Sequence, residues 1–164
     1  MLKYVDTMVT FSEVPDEISL CINISNCPVH CKDCHSPYLW KDIGEELTQE
    51  VLDSLIKENT GISCVCFMGG DASPKEINEL GKYIKRTFPD LKLAWYSGIQ
   101  ERSKEIDPYL FDYLKLGPYI KRKGPLTNPR TNQIFYRKIN NGLERPGYDK
   151  ITYKFWKQKD NEDK

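Results

Sequence analysis

Three cysteines crowd into eight residues: Cys27-Pro28-Val29-His30-Cys31-Lys32-Asp33-Cys34 is a C-x3-C-x2-C array. A loop that short can bring three thiolates around one small metal core without strain. The number three matters chemically. A cubane iron–sulfur cluster has four irons, so three cysteine ligands leave one iron open to an exogenous chelator. The competing reading is a structural zinc site in which His30 or His35 joins the cysteines. Zinc sites normally combine two closely spaced pairs many residues apart, and the remaining cysteines suit that poorly. Cys64 and Cys66, two apart in an apolar run, are assigned to opposite faces of a strand. With Cys21 they read as small buried hydrophobes.

The elements that must position this loop are legible as alternating strands and helices. Ile18–Ile24 is an apolar run leading straight into the cysteines and predicts the first strand. Thr48–Asn59 predicts a helix, with Val51, Leu52, Leu55 and Ile56 on one face and Gly61 ending it. Ile62–Met68 is almost wholly apolar, as a strand covered on both faces must be, and Gly69-Gly70-Asp71 closes it. Ser73-Pro74-Lys75-Glu76 has the form of a capping box opening a second helix, buried through Ile77, Leu80 and Ile84. Leu91–Tyr96 and Tyr113–Leu116 predict two more strands, ended by Ser97-Gly98 and Gly117-Pro118. Gln133–Ile139 reads as an extended edge segment. Such alternation implies an α/β domain with right-handed crossovers. About four to five parallel strands fit, too few for a closed eight-unit barrel.

Length and composition set limits. The 164 residues suit one domain, taken as 1–156, followed by a polar tail at 157–164 expected to fray. Lys plus Arg equal Asp plus Glu at 24 each, so net charge predicts neither a nucleic-acid nor a membrane partner. The charges are nonetheless segregated: Lys115–Lys138 holds seven basic residues and no acid, and Asp42–Glu58 holds six acids and one lysine. No signal peptide or membrane span is visible, so a cytoplasmic location is expected. In a reducing compartment, six cysteines point to metal or redox chemistry rather than disulfides.

The cysteine array after the first strand and the glycine-glycine-acid turn after the second resemble the radical S-adenosylmethionine superfamily. That resemblance implies a truncated, partial βα barrel and a [4Fe–4S] cluster on Cys27, Cys31 and Cys34. It also implies S-adenosylmethionine held at Gly69, Gly70 and Asp71, where Asp replaces the usual Glu, with Tyr96 and Ser97 as further cofactor contacts. Further details resemble the activating proteins of anaerobic ribonucleoside-triphosphate reductase: Cys31 to Trp40, Trp95-Tyr96-Ser97-Gly98, Gly117-Pro118-Tyr119 and Thr131-Asn132-Gln133. The implied activity is reductive cleavage of S-adenosylmethionine and generation of a glycyl radical on that reductase. The electron would come from an external one-electron donor such as flavodoxin or ferredoxin. Alternatives are an activase of another glycyl-radical enzyme, a small enzyme of the superfamily acting on a nucleobase precursor, or a zinc-binding interaction module.

Overall fold

Apolar runs become the centre of one sheet. The computed structural model describes residues 1–140 and 147–156; the tail at 157–164 lies outside them. Four strands run parallel and side by side: β2 (Ser19–Ile24), β4 (Cys64–Met68), β5 (Lys92–Tyr96) and β6 (Tyr113–Leu116). Helix α1 (Gln49–Glu58) lies in the connection from β2 to β4, and helix α2 (Pro74–Thr87) in that from β4 to β5. The segment 97–112 returns from β5 to β6 without a helix.

The expected partial barrel of four to five parallel strands is overturned. The sheet is mixed and has eight strands among the described residues, in the order β3-β1-β2-β4-β5-β6-β7-β8. Strand β1 (Lys3–Thr10) is antiparallel to β2, and the two-residue β3 (Glu45–Glu46) is antiparallel to β1. At the other side β7 (Ile134–Ile139) is antiparallel to β6, and β8 (Gly147–Lys150) to β7. The reason is connection length and content. A parallel return needs a crossover of a dozen or more residues, and 11–18 are too few between β1 and β2. Residues 117–133 contain turns and no helix, and the chain comes back antiparallel. The segment at Gln133–Ile139, expected at an edge, is an interior strand covered by β8.

The two helices follow their sequence signals in different ways. Thr48 caps α1 through Oγ1, which accepts from the Val51 N–H at 3.2 Å. Ser73 precedes α2 with Pro74 in its first turn, but its hydroxyl makes no cap bond. The Glu76 carboxylate instead lies 3.0 Å from the Met1 ammonium. Both helices cover one face, where Leu52, Ile56, Ile77 and Ile84 pack on Val65, Phe67, Leu93 and Trp95. The opposite face buries Cys21, Cys64, Cys66, Ala94 and Tyr113 under Val14, Leu126 and Ile151. Cys64 and Cys66 therefore share a face. The expected opposite orientation is corrected by the strand's period of two, which returns residue i+2 to the side of residue i. Among the described residues no helix is long and apolar enough to cross a membrane.

Candidate metal centre

The parallel strands end level with one another. Asn23 stands beside Met68, Met68 beside Tyr96, and Tyr96 beside Lys115. The four turns that follow these strands therefore gather at their carboxyl ends, the edge where open α/β sheets bind ligands. The cysteine loop follows β2, Gly69-Gly70-Asp71 follows β4, Ser97-Gly98 follows β5 and Gly117-Pro118 follows β6.

The loop is tightly wound. Asn26, His30 and Asp33 have φ of 60°, 48° and 64°, three of the four non-glycine residues in the left-handed region among those described. Asn, Asp and His enter that region more readily than other non-glycine residues, and the surroundings hold them there. They do so at both ends. The Asn26 N–H donates to the Lys41 carbonyl at 3.0 Å and the Cys27 N–H to Leu39 at 2.9 Å. Within the loop, the Cys34 N–H donates to the Cys31 carbonyl at 3.1 Å and the Ser36 N–H to Cys34 Sγ at 3.4 Å. His30 and His35 are exposed. The former stacks on Trp40 with ring centres 4.9 Å apart, and the latter leans on Tyr119 at 4.8 Å. Cys27, Cys31 and Cys34 are free thiols, each half-buried.

Both glycines of the next turn are required. Gly69 and Gly70 have φ of 107° and 98°. A Cβ on Gly69 would stand 3.0 Å from the Ile24 carbonyl, and one on Gly70 2.5 Å from Ile77 Cδ1. The turn is thus pressed against the strand end from which the cysteine loop departs. Their carbonyls already accept bonds: Gly69 from Trp95 Nε1 at 2.8 Å and Gly70 from the Ser73 N–H at 3.0 Å. A carbonyl oxygen keeps a second lone pair.

Asp71 and Ser97, expected as separate cofactor contacts, meet each other. The Ser97 hydroxyl donates to Asp71 Oδ1 at 2.5 Å, and the Gly98 N–H donates to Oδ2 at 2.8 Å. Ser97 Oγ also accepts from the Ile99 N–H at 3.2 Å. Both residues are buried. Gly98 in turn packs on Val29 of the cysteine loop, where an added Cβ would lie 2.9 Å from Cγ2. Tyr96 donates its hydroxyl to the Glu13 carbonyl. Burial, then the nearby Cys66, Glu13 and Cys21, hold that phenol well above its ordinary pKa. The Tyr96 ring centroid lies 5.6 Å from Lys115 Nζ.

Lys115 was missed as a site residue, although a lone lysine inside the apolar Tyr113–Leu116 run was a signal. It is buried, with Nζ donating to the Gly117 carbonyl at 2.8 Å and the Ser97 carbonyl at 3.4 Å. Burial pulls its pKa down to about 8; the negative charges of Asp71, Cys31, Cys27 and Cys34 act the other way.

A groove of about 690 Å³ separates the cysteine loop from the next strap of chain, with Val29, Cys31 and Asp33 on one side and Tyr119, Lys121 and Arg122 on the other. Three free thiols on one short loop are the soft donors that iron–sulfur clusters take. Among the described residues no group of three or more His, Cys, Asp or Glu side chains is placed to hold a metal ion. Trp40 also buries its indole N–H beside the loop without an acceptor among the described residues. No curated protein and no solved structure matches the chain. The family model for a 4Fe-4S single cluster domain does match, over residues 18–114. That span runs from the first parallel strand to the last and takes in the cysteine loop, the glycine turn and Ser97. It covers more than half of the 164 residues, and the chain belongs to the 4Fe-4S single cluster domain family.

Proposed function

We propose that Cys27, Cys31 and Cys34 hold the [4Fe–4S] cluster, leave one iron to S-adenosylmethionine, and so equip the chain as a radical-generating activase. The partner we assign is the glycyl-radical subunit of anaerobic ribonucleoside-triphosphate reductase, with flavodoxin or ferredoxin as the electron source. One observation carries this reading. All six cysteines are described, and they divide into three half-buried thiols on one loop and three buried ones within the sheet. The loop therefore has three thiols to offer and no fourth.

A cluster held by Cys27, Cys31 and Cys34 would supply a one-electron reductant, and S-adenosylmethionine at its open iron would be the source of a carbon radical able to take hydrogen from a glycine Cα. The chain's own part is to position and enclose. Gly69 and Gly70 bring backbone, with no side chain in the way, to the strand ends beside the loop. Asp71 fixes the β5 turn through Ser97 and Gly98, and that turn supports the loop through Val29. The groove leaves Cys31 reachable from outside, as a macromolecular substrate needs, and its wall of Lys121 and Arg122 suits an acidic partner surface.

Anaerobic reconstitution with iron and sulfide tests the reading. A brown protein that forms 5′-deoxyadenosine from S-adenosylmethionine on reduction, and a glycyl-radical resonance on the reductase, is the expected result. A colourless protein carrying one tight zinc and cleaving nothing would sink it.

A further inference from the structure

Strand β6 ends in a contradiction: all four residues from Tyr113 to Leu116 are buried, and one of them carries a charge. Burying an ammonium is costly unless something offsets it. The neighbouring Asp112 shows the ordinary solution, meeting Lys85 at 2.5 Å and Lys138 at 3.5 Å. Lys115 has no such ion pair among the described residues. Its contacts are the Gly117 and Ser97 carbonyls and the Tyr96 ring, whose centroid lies 5.6 Å from Nζ. All three partners are neutral.

We infer that Lys115 is the built-in counter-charge of the cluster site, a positioning residue that makes the cluster easier to reduce. The inference rests on the assignment of the cluster to Cys27, Cys31 and Cys34. Geometry supports it in two ways. The carbonyls that hold Nζ belong to the two turns flanking the site, Ser97 after β5 and Gly117 after β6, so the charge is fixed at the carboxyl ends of the strands. The Ser97 turn that holds Nζ is also bonded to Asp71 through the Ser97 hydroxyl and the Gly98 N–H, and it packs through Gly98 on Val29 of the cysteine loop. The ammonium is thus tied to the turn that supports the three thiols, and any attraction between them is mutual. Whatever electrostatic pull the thiolates exert on the ammonium, the ammonium exerts on them. Burial keeps water from screening it. An electron added on the cysteine side is therefore stabilised by a positive charge that no solvent ion need supply. With a pKa of about 8, the ammonium is still charged at neutral pH.

The test is a potentiometric titration of the full chain, reconstituted anaerobically and reduced stepwise with dithionite, read by paramagnetic resonance and visible absorption. Lys115→Met keeps the length of the side chain and removes its charge. The expected result is a midpoint shifted to more negative potential by about 59 mV, the equivalent of a tenfold weaker reduction for one electron. Lys115→Arg should recover most of the shift. Lys115→Gln, whose amide still donates to a carbonyl, should behave like the methionine variant. If both neutral variants fold but load no cluster while the arginine variant loads, Lys115 serves assembly rather than reduction and the inference falls. Neutral variants with full clusters and an unmoved midpoint reduce Lys115 to a clasp between two turns and overturn it. A wild-type protein that takes up no cluster fails differently, removing the cluster assignment and the inference with it.

Discussion

Two trios of cysteine occupy this chain, and backbone alone gives them different chemistry. Cys21, Cys64 and Cys66 sit on adjacent parallel strands, in register and on one face, among Val14, Phe135 and Ile151. Burial pushes the Cys64 thiol up to about 12 and the Cys66 thiol well up too. A thiol so placed stays protonated and packs as a small apolar group. Cys27, Cys31 and Cys34 stand on a loop wound through left-handed residues at Asn26, His30 and Asp33, and all three thiols are half-buried. Strands hold side chains at fixed spacings that serve packing. The wound loop frees the same side chains to meet a ligand.

Exchange of residues between the trios should give the largest effect. Cys27→Ala, Cys31→Ala or Cys34→Ala should each abolish loading, measured as bound iron and sulfide after reconstitution. Melting of the metal-free protein should move by no more than about 2 °C, since half-open side chains carry little packing. Cys64→Ala should load fully and lose about 1 kcal/mol of stability, the cost of a small void in the core. A Cys64 variant that loses its iron while a Cys31 variant keeps it would invert the comparison.

Alkylation sharpens the same contrast without touching the sequence. In the metal-free protein, iodoacetamide should modify the loop trio at the rate of accessible thiols. The sheet trio should wait for the sheet to open, at least ~10³-fold slower. Peptide mass spectrometry over time assigns the sites. Equal rates for Cys34 and Cys66 would mean that the buried face is not closed.

How much of this was legible depends on whether the signal was local. The four parallel strands and both helices announced themselves because burial on both faces demands continuous apolar runs, and because Thr48 and Pro74 mark helix starts. Strand β1 gave no such signal. Its Lys-Tyr-Val-Asp-Thr-Met-Val-Thr sequence leaves Met8 and Val9 exposed, and its strand character comes from pairing with β2. The two-residue β3 offers no pattern at all. In the site, the cysteine array and the glycine turn were readable from spacing. The bond between Asp71 and Ser97 was not, because only the β4–β5 register joins residues 26 positions apart. Lys115 reads in the sequence only as the first of the basic residues of 115–138, because local sequence does not show that the whole of β6 is buried. That Cys64 and Cys66 share a face is legible from the strand's period of two alone.

Gly70→Ala probes what holds the loop trio in place. A Cβ there meets Ile77 Cδ1 at 2.5 Å and must adopt a φ of 98°. The combined overpacking and backbone strain should cost about 2–4 kcal/mol, read as a lower denaturant midpoint. Because the nearest atoms an added Cβ would meet belong to Ile77 and Ile24 and not to the cysteine loop, any protein that stays folded should still load iron, though with the turn displaced. Unchanged stability would show that the turn relaxes freely and does not brace the strand end.

The smallest expected effect lies at the rim, where the comparison extends from the trio itself to what approaches it. Lys121 and Arg122 are exposed and face the cysteine loop across the groove, and Lys123 continues the turn. No acid of the 115–138 segment neutralises them locally. Reversing all three to Glu should slow association with an acidic partner by about tenfold at low salt and by less as ionic strength rises. Cluster content and the alkylation pattern of both trios should not change, because the three basic residues belong to a different segment from the 27–34 loop that carries the thiols. Surface-plasmon association rates against the reductase, taken at two salt concentrations, separate the outcomes. A loss of affinity independent of salt would point to contact packing rather than charge. An unaltered rate would remove this rim as the docking face and leave the groove to a small ligand.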